Sequence, residues 1–164
     1  MYAYDHVESP GGRILLVAND RGLCGVHFVG QKHFPERQKD WRHDPNHAVL
    51  KQAKRELAEY FAGKRRRFDV PLAPTGTTFQ RKVWKAISTI GFGETLSYAE
   101  VARRAGAPGS ARAAGAATGR NPIGIIVPCH RVVGSDGSLT GYAGGLSKKK
   151  ALLALEKGVR PLMA

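Results

Sequence analysis

Residues 97–119 read SYAEVARRAGAPGSARAAGAATG, and their pattern decides the fold of the C-terminal half. Ser97-Tyr98-Ala99-Glu100 has the form of a capping box, in which the serine hydroxyl serves the amide of Glu100 and the glutamate reaches back to the cap amide. A helix through Arg104 is predicted. Gly106-Ala107-Pro108-Gly109 breaks it, and Ser110 to Gly119 forms a second helix made almost wholly of Ala and Gly around Arg112. Two short helices joined by such a turn are a helix-turn-helix pattern. The second helix lacks the Asn, Gln and several Arg that read a major groove. Ala113, Ala116 and Ala117 are expected to pack, whereas Arg112 would be costly in a core without a partner. An exposed small-residue face with one long cation suits a minor groove.

Downstream, the apolar run Ile123-Gly124-Ile125-Ile126-Val127 reads as a buried strand that ends in Pro128-Cys129-His130-Arg131. Pro128 removes a backbone donor, so Cys129 sits where regular strand pairing stops. Two readings of Cys129 fit. It is a small core residue, or it is a nucleophile whose thiol is drawn toward thiolate by His130 or Arg131 beside it. Arg131 to Val133, the turn Gly134-Ser135-Asp136-Gly137 and Leu139 to Tyr142 have the form of a hairpin or wing. Ser147 opens a last helix, with Lys148, Lys149 and Lys150 near its start and Glu156 near its end. Cations at a helix start oppose the dipole, so these lysines face an anion or point into water.

Upstream, Phe79, Val83, Trp84 and Ile87 recur on one face of a predicted helix over Thr78 to Ile90. Phe68 to Pro74 is an extended linker, which divides the chain into an α/β unit at 1–74 and a DNA-binding unit at 75–164. In the first unit Tyr2 to Val7, Gly12 to Ala18 and Leu23 to Val29 form a small antiparallel meander. Gln31 to Asn46 is a polar loop, and the amphipathic helix His47 to Phe61 covers the meander. Lys64-Arg65-Arg66-Arg67 is a solvated basic cap at the end of that helix. The expected class is α+β: a small sheet with a helix, then a winged helix-turn-helix unit carrying the cysteine.

The 164 residues carry 26 Lys plus Arg against 13 Asp plus Glu, a net charge of +13. Residues 1–74 hold 13 basic and 9 acidic side chains, and 75–164 hold 13 and 4, so the excess lies with Cys129. A polyanionic partner fits this balance, as do solubility alone and ribosome association. There is no run of the ~18 apolar residues that would cross a bilayer. With only Cys24 and Cys129 and no signal-like N-terminus, an intracellular, cytoplasmic protein is expected. The histidines His6, His27, His33, His43 and His47, with Cys24, have no spacing that makes a metal site, and no metal or other cofactor is expected.

Gly119-Arg120-Asn121-Pro122, Ile126-Val127-Pro128-Cys129-His130-Arg131-Val132-Val133 and Gly141-Tyr142-Ala143-Gly144-Gly145-Leu146 together resemble the O6-alkylguanine-DNA alkyltransferases, or methylated-DNA-protein-cysteine methyltransferases. The resemblance is specific over residues 76–157 and weak before them. It implies direct-reversal DNA repair, with irreversible, single-turnover transfer of the alkyl group of O6-alkylguanine, and less well of O4-alkylthymine, to Cys129. His130 would be the base toward Cys129 through a bound water and Glu156 would orient His130. Arg112 would enter the duplex and fill the gap left by an extruded nucleotide, with Ser110, Ala111, Ala113 and Gly115 beside it against DNA. Tyr98 would meet guanine and the rotated phosphate. The Tyr142 hydroxyl and Ala143 amide would donate to O6, the Cys129 and Val132 carbonyls would accept the exocyclic amine, Asn121 would brace the turn and Lys149 would lie near the pocket. Ala143 stands where some members have Ser or Gly, which bears on pocket width. A monomer on the minor groove of double-stranded DNA, without obligate protein partner or membrane, completes the expectation. The competing readings are a non-catalytic lesion sensor, a winged-helix regulator, and a thiol hydrolase that would turn over.

Overall fold

Alternating apolar residues place three consecutive strands in the N-terminal half, and the computed structural model, which describes residues 1–158, folds them as an antiparallel meander. Strands β1 (Ala3–Ser9), β2 (Gly12–Ala18) and β3 (Leu23–Phe28) pair in sequence, with Ala3 opposite Ala18 and Ile14 opposite Phe28. One face of β2 sends Ile14, Leu16 and Ala18 into the main core, and the other sends Leu15 and Val17 against Tyr4. That second face explains a departure from the sequence reading. The polar segment 31–46 is not a plain loop: Phe34 and Trp41 pack on Tyr4, Leu15 and Val17, and a two-residue strand β4 (Arg42–His43) adds in parallel to β1.

Helix α1 (Ala48–Phe61) lies on the inner face of the meander, with Leu50, Ala53, Leu57 and Tyr60 at helical spacing and fully buried. Burying a leucine in this way contributes roughly 1.5–3 kcal/mol. His47 caps the helix through Nδ1, which accepts from the Val49 amide at 3.3 Å. Glu56, also buried, accepts from the Asp69 and Val70 amides at 2.8 and 3.1 Å and so ties the outgoing chain to α1. Arg65 in the basic run pairs with Glu59 at 2.8 Å and Arg66 lies over the Phe92 ring, so the run is not merely solvated.

The segment read as a linker runs along the open edge of β3. Leu23 donates to the Pro71 carbonyl and accepts from the Ala73 amide, both at 2.8 Å. Further along the same edge Val26 donates to Pro122 at 2.9 Å and accepts from Gly124 at 3.1 Å. An edge strand needs its backbone covered, and here both linker and C-terminal half cover it. The backbone just ahead of Cys129 is thereby fixed to the N-terminal sheet.

In the C-terminal half α2 (Thr78–Ile87) is three residues shorter than its predicted span, and α3 (Tyr98–Arg104) and α4 (Ala111–Gly119) form the expected helix-turn-helix. The reciprocal capping box occurs at Thr77 and Gln80. At α3 only half of it forms: Ser97 accepts from Glu100 at 3.1 Å, while the Glu100 carboxylate turns to Arg103 and Arg104. The Trp84 indole donates to the Ala117 carbonyl at 2.8 Å and locks α2 to α4. Ala114, Ala117 and Thr118 form the packed face of α4, whereas Ala113 and Ala116 are exposed, contrary to the sequence reading.

Neither the strand before Cys129 nor the hairpin after it forms. Ile125 has φ of 69° and Ile126 donates to the Gly124 carbonyl at 2.7 Å, a tight γ-turn at a β-branched residue. A second γ-turn at Pro128 (φ −83°, ψ 64°) joins the Cys129 amide to the Val127 carbonyl at 2.8 Å. Cys129–Arg131 is then one turn of 3-10 helix. β6 (Val132–Val133) pairs in parallel with β5 (Leu96–Ser97), and Leu139 to Tyr142 stays irregular, so the wing is a loop. Helix α5 (Leu146–Glu156) closes the structure.

Candidate active site and nucleic-acid interface

Buried irregular backbone must find hydrogen-bond partners, and Asn121 supplies them to the apolar run. Its amide nitrogen donates to the Val127 carbonyl at 2.8 Å and to the Ile123 carbonyl at 3.4 Å, and its side-chain oxygen accepts from the Ile123 amide at 3.0 Å. The two γ-turns thus stand on one side chain. They deliver Cys129 to the buried end of a cleft of about 630 Å³ lined also by Tyr98, Ala111, Arg112, Gly115, Tyr142 and Ala143.

Burial pushes the Cys129 thiol up, and the Asn121 amide and the Lys149 charge pull only partly against it. Arg131 is not a neighbour that activates the thiol, as the sequence suggested. Its guanidinium is committed elsewhere, to the Glu156 carboxylate at 2.8 and 2.9 Å and the Ile90 carbonyl at 2.6 Å. Cys129 therefore rests as a protonated thiol.

His130 follows Cys129 in the same turn of 3-10 helix. Its Nε2 lies 2.7 Å from Glu156 Oε2, with both side chains fully buried. A carboxylate only accepts, so Nε2 carries the proton and Nδ1 is the basic nitrogen. Nδ1 is buried with no protein partner among the described residues. Burial holds His130 below its ordinary range, the Arg131 and Lys149 charges reinforce this, and Glu156 opposes it. Glu156 behaves in the opposite sense: burial alone would raise its carboxyl, but donors from His130 and Arg131 hold it well below the usual carboxylate range. The tyrosine hydroxyl of Tyr142 is pushed well above its ordinary value by burial and then by the Cys129 and Glu156 charges, so it remains a donor.

Lys149 points neither at an anion nor into water. It is buried, and Nζ donates to the Val132 carbonyl at 2.6 Å and to the Thr140 and Gly141 carbonyls at 3.2 and 3.3 Å, pinning the loop that carries Tyr142 and Ala143. Tyr98 joins the same loop from α3 by accepting from the Thr140 hydroxyl at 2.9 Å. A Cβ at Gly144 would come within 2.7 Å of the Tyr142 ring and 3.1 Å of Phe28, so a side chain there would push the ring that lines the cleft. Among the described residues no three His, Cys, Asp or Glu lie close enough to hold a metal ion, and no helix is long and apolar enough to cross a membrane.

The family model for the 6-O-methylguanine DNA methyltransferase DNA binding domain matches residues 78–158, and that for the ribonuclease-like domain of the same methyltransferase matches residues 2–74. The chain belongs to the 6-O-methylguanine DNA methyltransferase family. A methylated-DNA–protein-cysteine methyltransferase from Methanosarcina barkeri is 51% identical over 94% of this chain and 96% of its own. One from Mycobacterium tuberculosis is 48% identical over 98% and 96%. The crystal structure of M. tuberculosis OGT in complex with DNA superposes with a TM-score of 0.88 at 46% identity, covering 98% of this chain and 96% of that one.

Within this methyltransferase framework the residues predicted from sequence fall into three groups. Cys129, Tyr98, Ala111, Arg112, Gly115, Tyr142 and Ala143 line the cleft. His130, Glu156, Asn121, Val132 and Lys149 are buried outside its lining. Ser110 and Ala113, at the start of α4, are also outside the lining, Ala113 exposed and Ser110 half-buried. Sequence reasoning missed four participants. Lys32 and His33 line the cleft from the N-terminal half, where the Lys32 amide donates to the Ala143 carbonyl at 3.0 Å. Gly93 donates its amide to Glu156 Oε1 at 3.2 Å, and the Tyr60 hydroxyl donates to Glu156 Oε2 at 2.6 Å. The only signal for Tyr60 was an aromatic with a polar tip on the apolar face of α1, which helical spacing alone assigns to packing.

Proposed function

We propose that the protein repairs alkylated DNA by direct reversal, taking the alkyl group of O6-alkylguanine, and less well of O4-alkylthymine, onto its own Cys129. The observation that carries this is the cleft itself: a buried cysteine at its end, a His130–Glu156 pair behind the cysteine, and a lone exposed arginine on a small-residue helix at its side.

The chemistry follows from these groups. The Cys129 proton leaves for His130 Nδ1 through a water, whose hydrogen bonds would satisfy an otherwise orphaned nitrogen. Glu156 stabilises the imidazolium that forms. The sulfur forms a bond to the alkyl carbon as the bond to O6 breaks, and the electron pair stays with O6. The Tyr142 hydroxyl and Ala143 amide donate to O6 as charge grows there, and the guanine takes up one proton, which balances the one lost by the thiol. A thioether has no ready return path. Each molecule acts once.

The sulfur needs a line of approach behind the alkyl carbon that a stacked base does not offer, so the nucleotide is flipped and Arg112 fills the gap. Ser110, Ala111, Ala113 and Gly115 carry no bulk that would hold α4 away from a minor groove. Tyr98 sits where the rotated phosphate passes, and the Cys129 and Val132 carbonyls face the exocyclic amine. The Val132 carbonyl already accepts from Lys149, and a carbonyl oxygen has a second lone pair. The protein acts as a monomer on double-stranded DNA, in the cytoplasm, without obligate partner or cofactor.

A lesion sensor would lack the nucleophile and a winged-helix regulator would have no use for a buried Cys–His–Glu series. A thiol hydrolase would turn over. Restoration of O6-methylguanine to guanine in a duplex, followed against protein added, tests the reading: a plateau at one lesion per molecule is expected, and continued turnover or no restoration would overturn it.

A further inference from the structure

Five donors converge on the Glu156 carboxylate. Oε2 accepts from Tyr60 at 2.6 Å, His130 at 2.7 Å and Arg131 at 2.9 Å, and Oε1 accepts from Arg131 at 2.8 Å and Gly93 at 3.2 Å. A carboxylate has about four acceptor sites, so the donors compete, and competition is sharpest on Oε2. Tyr60 stands apart from the others. It comes from α1 in the N-terminal half, its side chain is fully buried, and its ring is held edge-on by Phe61 and Phe92 and against Phe68. Burial, with the Glu156 charge adding to it, keeps its phenol protonated and so an obligate donor.

We propose that Tyr60 is a positioning residue for alkyl transfer: by donating to Glu156 Oε2 it draws hydrogen-bonding capacity away from His130 and sets how readily His130 takes the thiol proton. The N-terminal half thereby tunes chemistry performed in the C-terminal half. His130 is faced by Glu156 and Lys149 from α5, by Arg131 and Cys129 beside it, and by Tyr60 through Glu156. Of these only Tyr60 can be altered at one atom without removing a charge or a reacting group. Loss of its hydroxyl leaves Glu156 a stronger acceptor for the His130 proton, so imidazolium is stabilised. The acid limb of the transfer rate, which needs neutral His130, then moves to higher pH.

The inference rests on the alkyl-transfer reading and is tested in a way that separates the two. Single-turnover methyl transfer from duplex O6-methylguanine is followed against pH for the wild type, for Tyr60→Phe and for protein with 3-fluorotyrosine at position 60, whose more acidic phenol donates more strongly. The His130 ring is titrated in parallel by nitrogen-15 NMR. Tyr60→Phe is expected to raise the limb and the His130 titration by on the order of half a pH unit or more, and fluorotyrosine to lower both. Unmoved limbs and titrations in both, with only the thermal midpoint changed, would overturn the proposal. Should Tyr60→Phe fail to fold, the fluorotyrosine protein decides alone. A wild type that transfers no methyl group would overturn the functional reading, while the NMR titration would still decide Tyr60.

Discussion

Arg131 grips Glu156 with two hydrogen bonds: its Nε donates to Oε1 at 2.8 Å and a terminal nitrogen to Oε2 at 2.9 Å, and neither side chain is more than 7% exposed. The pair holds the carboxylate to which His130 donates, while burial first and then the Arg131 charge keep His130 below its ordinary range. Breaking such a pair from one side leaves a buried charge, which costs about 3–5 kcal/mol. Glu156→Ala is expected to lose that much in urea denaturation and to lose alkyl transfer with it. A loss below about 1 kcal/mol would mean that Arg131 finds water or another partner.

Cys129→Ala is expected to abolish alkyl transfer while leaving affinity for duplex DNA within about threefold, because the thiol is buried and its loss leaves the backbone carbonyl and the rest of the cleft in place. Anisotropy titration with a labelled duplex checks the affinity. Retained transfer would show that another residue accepts the group.

Arg112→Ala separates flipping from chemistry. Arg112 is exposed on α4, and its removal is expected to slow transfer from duplex DNA by tenfold or more, on the order of the few kcal/mol of an unstacked base, while reaction with free O6-benzylguanine changes little. Equal losses on both substrates would remove the finger role. Duplex affinity should also fall steeply with salt as phosphate contacts release counterions.

Much of this site was legible in the sequence because its chemistry is concentrated in short stretches. Pro128-Cys129-His130-Arg131 sets a cysteine and a histidine side by side, and the break at residues 106–109 marks the turn of the helix-turn-helix. What misled was hydrophobicity. Ile123–Val127 is as apolar as a buried strand, but Asn121 satisfies its carbonyls from one side chain, so the run coils into γ-turns instead. The lysines at the start of α5 misled for a different reason, since no pattern reveals that three carbonyls converge on the buried Lys149. Tyr60 and Glu156 are 96 residues apart, and only the tertiary fold brings them together.

Stability should fall toward acid pH. Burial pushes His27 down to about 4 and moves His130 in the same direction. An unfolded histidine titrates near 6.5, so the unfolded chain takes up protons first as pH drops. The contribution of these neutral histidines is complete above about 6.5 and is lost as pH falls through their folded values. Glu156, held low, contributes above the ordinary carboxylate value near 4.3 and loses that contribution at still lower pH. The thermal midpoint is expected to decline from about pH 7 to pH 4, and His27→Gln to decline less steeply. A midpoint that is flat over this interval would contradict the burial of neutral histidine.

The most direct measurement is the intact mass of the protein after mixing with one equivalent of duplex DNA containing O6-methylguanine, followed by peptide mapping. A gain of one methylene, on the peptide containing Cys129 and saturating at one per molecule, is the expected result. Unchanged mass despite tight binding, or a modification on Cys24, would contradict the assignment of Cys129 as the acceptor.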